Sequence, residues 1–555
     1  MQNLTPSDKG QPLWWQPGAK LPSTDPEDFK HALRQVGQPL YIVKLKDRWA
    51  VGRGGLILAE FETNSPSQAY PLQAHLPSLH PENLGDPCFK HRHGLRYPYV
   101  IGAMANGITS VEMVSQAGQA GLIGFFGSAG LLPPEVESAI DRLQAVPEPI
   151  PFGFNLIHSP HEPDLEAAIV DLYLRRGVHL VSASAYMDLT DALIHYRLKG
   201  IHRDSQGRVV CPNKIIAKVS RVEVGRKFFS PPPDKHLRRL VQKKLLTSDE
   251  AALAAFVPVA EDLTAEADSG GHTDNRPALS ILPIMLALRD EMMAKHPYQA
   301  PLCVGLGGGI ATPESTAAAF TLGAAYVLTG SINQSCLESG TSPKVRQMLA
   351  ETRQADVTMA PAADMFEMGV KVQVLKRGTM FPLRAAKLYE LYRQHDQWES
   401  IPSKQRETLE RDVLRSSFQE AWEQTKAFFT ERDPHQIERA ENDPHHKMAL
   451  VFRSYLGRSS NWANSGEKSR IIDYQIWCGP AMGAFNAWVK GSFLESPANR
   501  KVVVVALNLL LGASVVTRCH WLQTQGVSLP VDMVRYTPLE LETVAAYLAG
   551  TAESK

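Results

Sequence analysis

A chain of 555 residues exceeds one compact core and predicts a large domain with additions, or two to four domains. Its 58 basic and 58 acidic residues cancel, which excludes a bulk electrostatic attraction to nucleic acid or to an anionic membrane. The six cysteines are scattered, with no CxxC and no metal-type spacing to histidine, so neither a disulfide framework nor a metal site is expected.

In chain order, residues 1–95 form a proline-rich extension of short pieces, in which "LYIVKLKDRWAVG" alternates like a hairpin. The opening residues lack a basic region followed by an apolar core, so no signal peptide is expected and the protein reads as cytoplasmic. From Tyr97 short apolar runs alternate with helical patterns: "PYVIGAMA", "LIGFFG", "PFGFNL", "HLVSASA", "IIAKVS", "DLTAEA", "LCVGLGG" and "YVLTGS". Eight such runs predict a closed (β/α)8 TIM barrel, an α/β fold of roughly 250 residues, over residues 96–380. A doubly wound open sheet is the rival. Thr109 with Glu112 reads as a capping box, and Thr312-Pro313 as an N-cap followed by proline.

Between the fifth and sixth runs, residues 221–257 read as a basic insertion. From Lys214 to Lys244, Lys214, Lys218, Arg221, Arg226, Lys227, Lys235, Arg238, Arg239, Lys243 and Lys244 stand against Glu223 and Asp234. That is either a solvated face or a docking surface for an acidic partner. A second basic knot, "KHRHGLR" from Lys90 to Arg96, is expected to flank the same mouth. Residues 381–555 turn helical, with a compact appendage beginning near Asp473. The longest apolar stretch, Val502 to Val516, falls short of the roughly 20 residues that span a bilayer and reads as a buried helix or strand.

In a TIM barrel the site lies at the C-terminal ends of the strands. After the seventh strand, "GLGGGIATPE" offers Gly307, Gly308 and Gly309, and after the eighth, "TGSINQS" offers Gly330 and Ser331. Two glycine turns on adjacent strands, one opening a helix, predict a phosphate site. A phosphate held there sets a cofactor ring over the mouth, beside Ala103, Met104 and Ala105. Asn155 and Lys218, at the ends of the third and fifth strands, suit the polar edge of an isoalloxazine. In "DLTAEADSGGHTDNRP" after the sixth, Gly270 and Gly271 would let the backbone pass under the ring, with His272 over its reactive face.

"DLTAEADSGGHT", "GLGGGIATPESTAAAFTLGAAYVLTGS" and "PFGFNL" resemble segments of the nitronate monooxygenase and flavin-dependent enoyl-ACP reductase superfamily. The long N-terminal addition, the insertion after "IAKVSR" and "DYQIWCGPAMGAFN" resemble PfaD-type proteins, trans-acting enoyl reductases of polyunsaturated-fatty-acid and polyketide synthases. The resemblance implies FMN as cofactor, NADPH as reductant and a 2-enoyl thioester on acyl carrier protein as substrate, with a homodimer as one arrangement. Its acidic position falls on Glu266 or Asp268, Glu266 being counted with the cofactor-binding residues. His272 would donate a hydrogen bond to the thioester oxygen or a proton to C2. The alternatives are a nitronate-monooxygenase-like oxidase and a flavin-binding scaffold without turnover. An IMP-dehydrogenase-like barrel would need a cysteine on the loop after the sixth strand, and none is there.

Overall fold

Eight parallel strands, paired in the order of the sequence, close on themselves in the computed structural model, which describes residues 13–60, 68–158 and 162–552. They are β1 (Tyr99–Ile101), β2 (Ile123–Phe126), β3 (Phe152–Ile157), β4 (Leu180–Ser184), β5 (Lys214–Val219), β6 (Asp262–Glu266), β7 (Cys303–Gly307) and β8 (Val327–Thr329). Each coincides with one of the eight apolar runs, and the closed barrel sets the open sheet aside. Val100, Phe125, Ile216 and Leu328 fill the interior, and an apolar shell outside joins the strands to their helices. Burial on both faces explains why the runs are apolar throughout and do not alternate.

The extension forms a five-stranded antiparallel sheet that contains the expected hairpin, Leu40–Leu45 with Arg48–Arg53. The β5–β6 connection carries three helices. The first, Val222–Phe229, packs on helix Ala278–Lys295 as a member of the outer ring, so the added material is Asp234–Gln242 and Ser248–Leu253.

Several expectations are corrected. Ser110, not Thr109, caps helix Val111–Gln119, its hydroxyl accepting from Met113 N at 3.1 Å. Thr109 is fully buried and instead ties the loop after β1, donating to Gly102 O and accepting from Met104 N. The basic knot lies at the opposite end of the barrel from the mouth. There Arg92 and His93 bind Asp262, the first residue of β6, and Phe89 stacks on Tyr326 at 4.0 Å. The apolar stretch near the C-terminus runs on to Thr524 as a 23-residue helix, long and apolar enough to cross a bilayer, yet 89% of its apolar window is buried. It packs on helix Pro313–Thr321, where Gly512 gives room for Pro313.

The C-terminal region is no appendage. Strand Lys371–Leu375 pairs with Gly271–His272 on one side and with Val357–Pro361 on the other in a small antiparallel sheet, the cap, over the mouth. Residues 476–479 run along its edge: Leu375 N donates to Ile476 O and Cys478 N to Gln373 O. A helical subdomain, from Ser403 to Ser465, leans on the mouth from the other side. Its Ser460 hydroxyl accepts from Asn106 Nδ2 at 2.9 Å, and its Arg432 pairs with Glu162 at 2.5 Å.

Candidate active site

Strand register brings the polar residues of the mouth together. Lys218 on β5 lies opposite Thr264 on β6, so Glu266, two residues on and on the same face, is within reach. Lys218 Nζ and Glu266 Oε1 are 2.8 Å apart, and Ser269 Oγ also donates to that oxygen at 3.0 Å. In the same way Asn155 on β3 lies opposite Ser182 on β4. Ser184 therefore donates to Asn155 Oδ1 at 3.0 Å, and among the described residues the amide nitrogen of this buried side chain donates to no protein acceptor.

His272 stands at the start of the cap, with Nε2 at 3.2 Å from Asp364 Oδ1 and both side chains about one-third exposed, at 34% and 36%. Burial disfavours the imidazolium. The charge and hydrogen bond of Asp364, helped by Glu266, outweigh it together with the opposing Lys218, and the pKa is raised. Burial likewise opposes ionisation of Asp364, but His272 wins and the carboxyl is lowered. Two ion pairs, Lys218 with Glu266 and His272 with Asp364, thus share the mouth, near enough for the first to act on the charge of His272.

The loop bearing His272 is clamped. Buried Gln373 donates to Asp268 Oδ1 at 2.8 Å and to Ser269 O at 2.7 Å, and its own oxygen accepts from Asn275. This takes Asp268 into the clamp and leaves Glu266 as the acidic residue beside Lys218. Asp274 is held by Ser220 Oγ at 2.6 Å and by Arg221 Nε at 2.9 Å, and the Arg221 hydrogen bond brings its pKa down to about 2.

The glycine pair after β6 has a different reason from the one expected. A β-carbon on Gly270 would stand 2.9 Å from Cys478 N, and one on Gly479 the same distance from Gly270 N. Gly270 is glycine because the C-terminal segment crosses it backbone to backbone, and Gly271 because its φ is +78°. Gly307 and Gly308 are packed too: a β-carbon would stand 3.0 Å from Thr264 Cγ2 at Gly307 and 2.7 Å from Ala267 C at Gly308. At Gly309 and Gly330 it would meet nothing within 4 Å. Among the described residues the amides of Gly309, Gly330 and Ser331 donate to no protein acceptor, so this part of the two turns forms an open cradle. Ser331 Oγ accepts from Gly479 N at 3.0 Å and keeps its own proton for a ligand. Ala103 and Met104 lie half-buried at the end of β1.

Asp364, Gln373 and the 476–479 segment are the site features that residue reasoning misses, the last being marked only by a family resemblance. Of the cations in the β5–β6 connection, Arg226 pairs with Glu291, Lys227 with Asp188, and Arg239 and Lys243 with Asp191.

Residues 89–393 match the nitronate monooxygenase family, and residues 395–474 match the inserted helical domain of [acyl-carrier-protein] S-malonyltransferase. The chain is 46% identical over 448 residues to a polyunsaturated fatty acid synthase polypeptide of Thraustochytrium sp., covering 80% of this chain and 30% of that protein. It is 44% identical over 465 residues to polyketide biosynthesis protein PksE of Bacillus subtilis, covering 82% of this chain and 60% of that one. It therefore spans only part of the curated relatives it matches. The crystal structure of the enoyl reductase domain of MlnA, from the macrolactin biosynthesis cluster of Bacillus amyloliquefaciens, matches with a TM-score of 0.76 at 40% identity, over 80% of this chain and 99% of that domain. The eight-stranded barrel, its glycine turns and these likenesses agree: the chain belongs to the nitronate monooxygenase family and is of the PfaD type.

Proposed function

We propose that this protein is an FMN-dependent, NADPH-using enoyl reductase that saturates the 2,3 double bond of 2-enoyl thioesters carried on acyl carrier protein. The observation that carries the reading is the mouth itself: a histidine paired with a carboxylate stands beside a lysine–glutamate pair, on the barrel whose structural relative is an enoyl reductase domain. The residues present fit FMN. The open amides of Gly309, Gly330 and Ser331 would hold its phosphate at the glycine turns, where helix Pro313–Thr321 adds its positive end. Asn155 Nδ2 and Lys218 would meet the polar edge of its ring, beside Met104. When bound, FMN supplies hydride acceptance from NADPH and hydride donation to C3 of the enoyl group.

The chain's own part is to handle charge and protons. Hydride addition at C3 makes the thioester oxygen negative, and a positioned donor lowers that barrier. With Nε2 engaged by Asp364, the His272 nitrogen left for substrate is Nδ1, which donates to the thioester oxygen or passes its proton to C2. The cap and residues 476–479 lie over this space, where substrate would complete the shielding of the one-third-exposed His272 and Asp364 from water.

The test is an anaerobic spectrum of the purified protein, followed by NADPH and then a short 2-enoyl thioester on carrier protein. Bleaching of the flavin band by NADPH and its stoichiometric return with the enoyl thioester are expected. His272→Gln should leave the bleaching within about threefold and slow the return by about a hundredfold. A flavin that NADPH does not reduce, or that only oxygen reoxidises, overturns the reading in favour of an oxidase or a scaffold.

A further inference from the structure

The carboxylate that meets His272 does not come from the barrel. Asp364 lies in the turn between the two longer cap strands, 92 residues along the chain from the histidine. That turn is fixed from behind by the helical subdomain. Arg453, on helix Pro444–Ser465, donates from Nε to Ala363 O at 3.0 Å and from Nη1 to Glu367 Oε2 at 3.4 Å. Ala362 and Phe366, on either side of Asp364, are fully buried in the subdomain's core. From in front, the register of the cap pairs His272 with Val372, which fixes the histidine's backbone against the same sheet.

We infer that Asp364 is a positioning residue for the reaction: its carboxylate accepts from His272 Nε2, fixes the plane of the imidazole and keeps a proton on the nitrogen that meets substrate. The inference rests on the enoyl reductase reading for its kinetic part and on geometry alone for the dyad. A pair exposed to this degree adds little to stability, so its worth lies in orientation and protonation. The other charged groups facing His272 are Lys218 on β5 and Glu266 on β6, which pair with each other at 2.8 Å and largely cancel. Asp364 is the group left to set the charge on the ring. His272 is held cationic below its raised pKa and loses its proton as pH rises through it, so an acid step should fail at the alkaline end first.

The experiment compares the wild-type holoprotein with Asp364→Asn, which keeps the shape and removes the charge, and with Asp364→Glu, which keeps the charge. His272 is followed by NMR titration of labelled imidazole, and enoyl thioester reduction is measured from pH 6 to 8. In Asp364→Asn the His272 titration should move to lower pH. Its kcat should fall from about twofold below wild type at pH 6 to about tenfold below at pH 8, with KM changed less than about threefold. Asp364→Glu should recover most of both. An unmoved titration in Asp364→Asn, or an equal loss at every pH, overturns the inference. If the protein reduces no enoyl thioester, the activity reading falls while the titration still decides the dyad. If Asp364→Asn does not fold, a wild-type His272 that titrates no higher than a free imidazole overturns the inference by itself.

Discussion

Arg197 is buried without any exposure and is met by Glu261 at 2.5 Å, with Asn213 O accepting from its Nη1 and Pro258 O from its Nε. Burial works against the Glu261 carboxylate, but Arg197 and Lys214 overcome it and bring its pKa down from 4.5 to about 2. Because the folded value is the lower one, the pair's contribution is complete above pH 4.5 and is lost as pH falls towards 2. Glu261→Gln strands the buried guanidinium and should cost about 3–5 kcal/mol in chemical denaturation at pH 7, with a smaller difference from wild type at the acid end. At this scale the sequence is unevenly legible. His272 can be found because it follows two glycines at the end of an apolar run, and Lys218 and Asn155 because they end runs of their own. Asp364 cannot, since it acts from a turn with no periodicity, and its partner is chosen by how the cap folds back. Gln373 is hidden for the same reason: nothing local marks which loop a strand residue will clamp.

The two glycine turns after β7 and β8 show how an element can be read correctly in place and only partly in cause. Gly307 and Gly308 are required by neighbouring atoms of the barrel, whereas Gly309 and Gly330 face open space. Gly330 has a φ of −131°, outside the left-handed region, so an added methyl group tests the cradle and not the backbone. Gly330→Ala should therefore leave the thermal midpoint of the flavin-free protein within a degree or two and weaken FMN binding by about tenfold or more, read by fluorescence titration. An unchanged affinity would move the phosphate elsewhere. The glycines at 270 and 479 carry the opposite lesson. Pattern alone assigns the first to a ligand, but the atom it makes room for belongs to a segment more than two hundred residues away, and only the fold shows that the two backbones cross.

For the molecule as a whole, the barrel is legible because parallel strands buried on both faces leave uninterrupted apolar runs at regular intervals. The regions around it are not, because their partners are distant in sequence. Arg518, on the long C-terminal helix, is fully buried, and among the described residues no carboxylate pairs with it. It donates to the carbonyls of Leu33, Gln35 and Gln38 in the N-terminal extension, and burial brings its pKa down to about 10. Arg518→Ala would strip this donor from Leu33 O and Gln38 O, leave Gln35 O only the Gln38 amide, and should cost roughly 3 kcal/mol. In hydrogen exchange, helix Pro26–Arg34 should then open before the barrel does. The same clasp decides how a load on the chain is carried. Gln35 Nε2 donates to Ala552 O at 3.2 Å, and His31 meets the Tyr547 hydroxyl at 2.9 Å, so segments more than five hundred residues apart in the chain are fastened side by side. A pull on either segment would pass to the other through these two bonds and leave the barrel that lies between them in sequence unstretched.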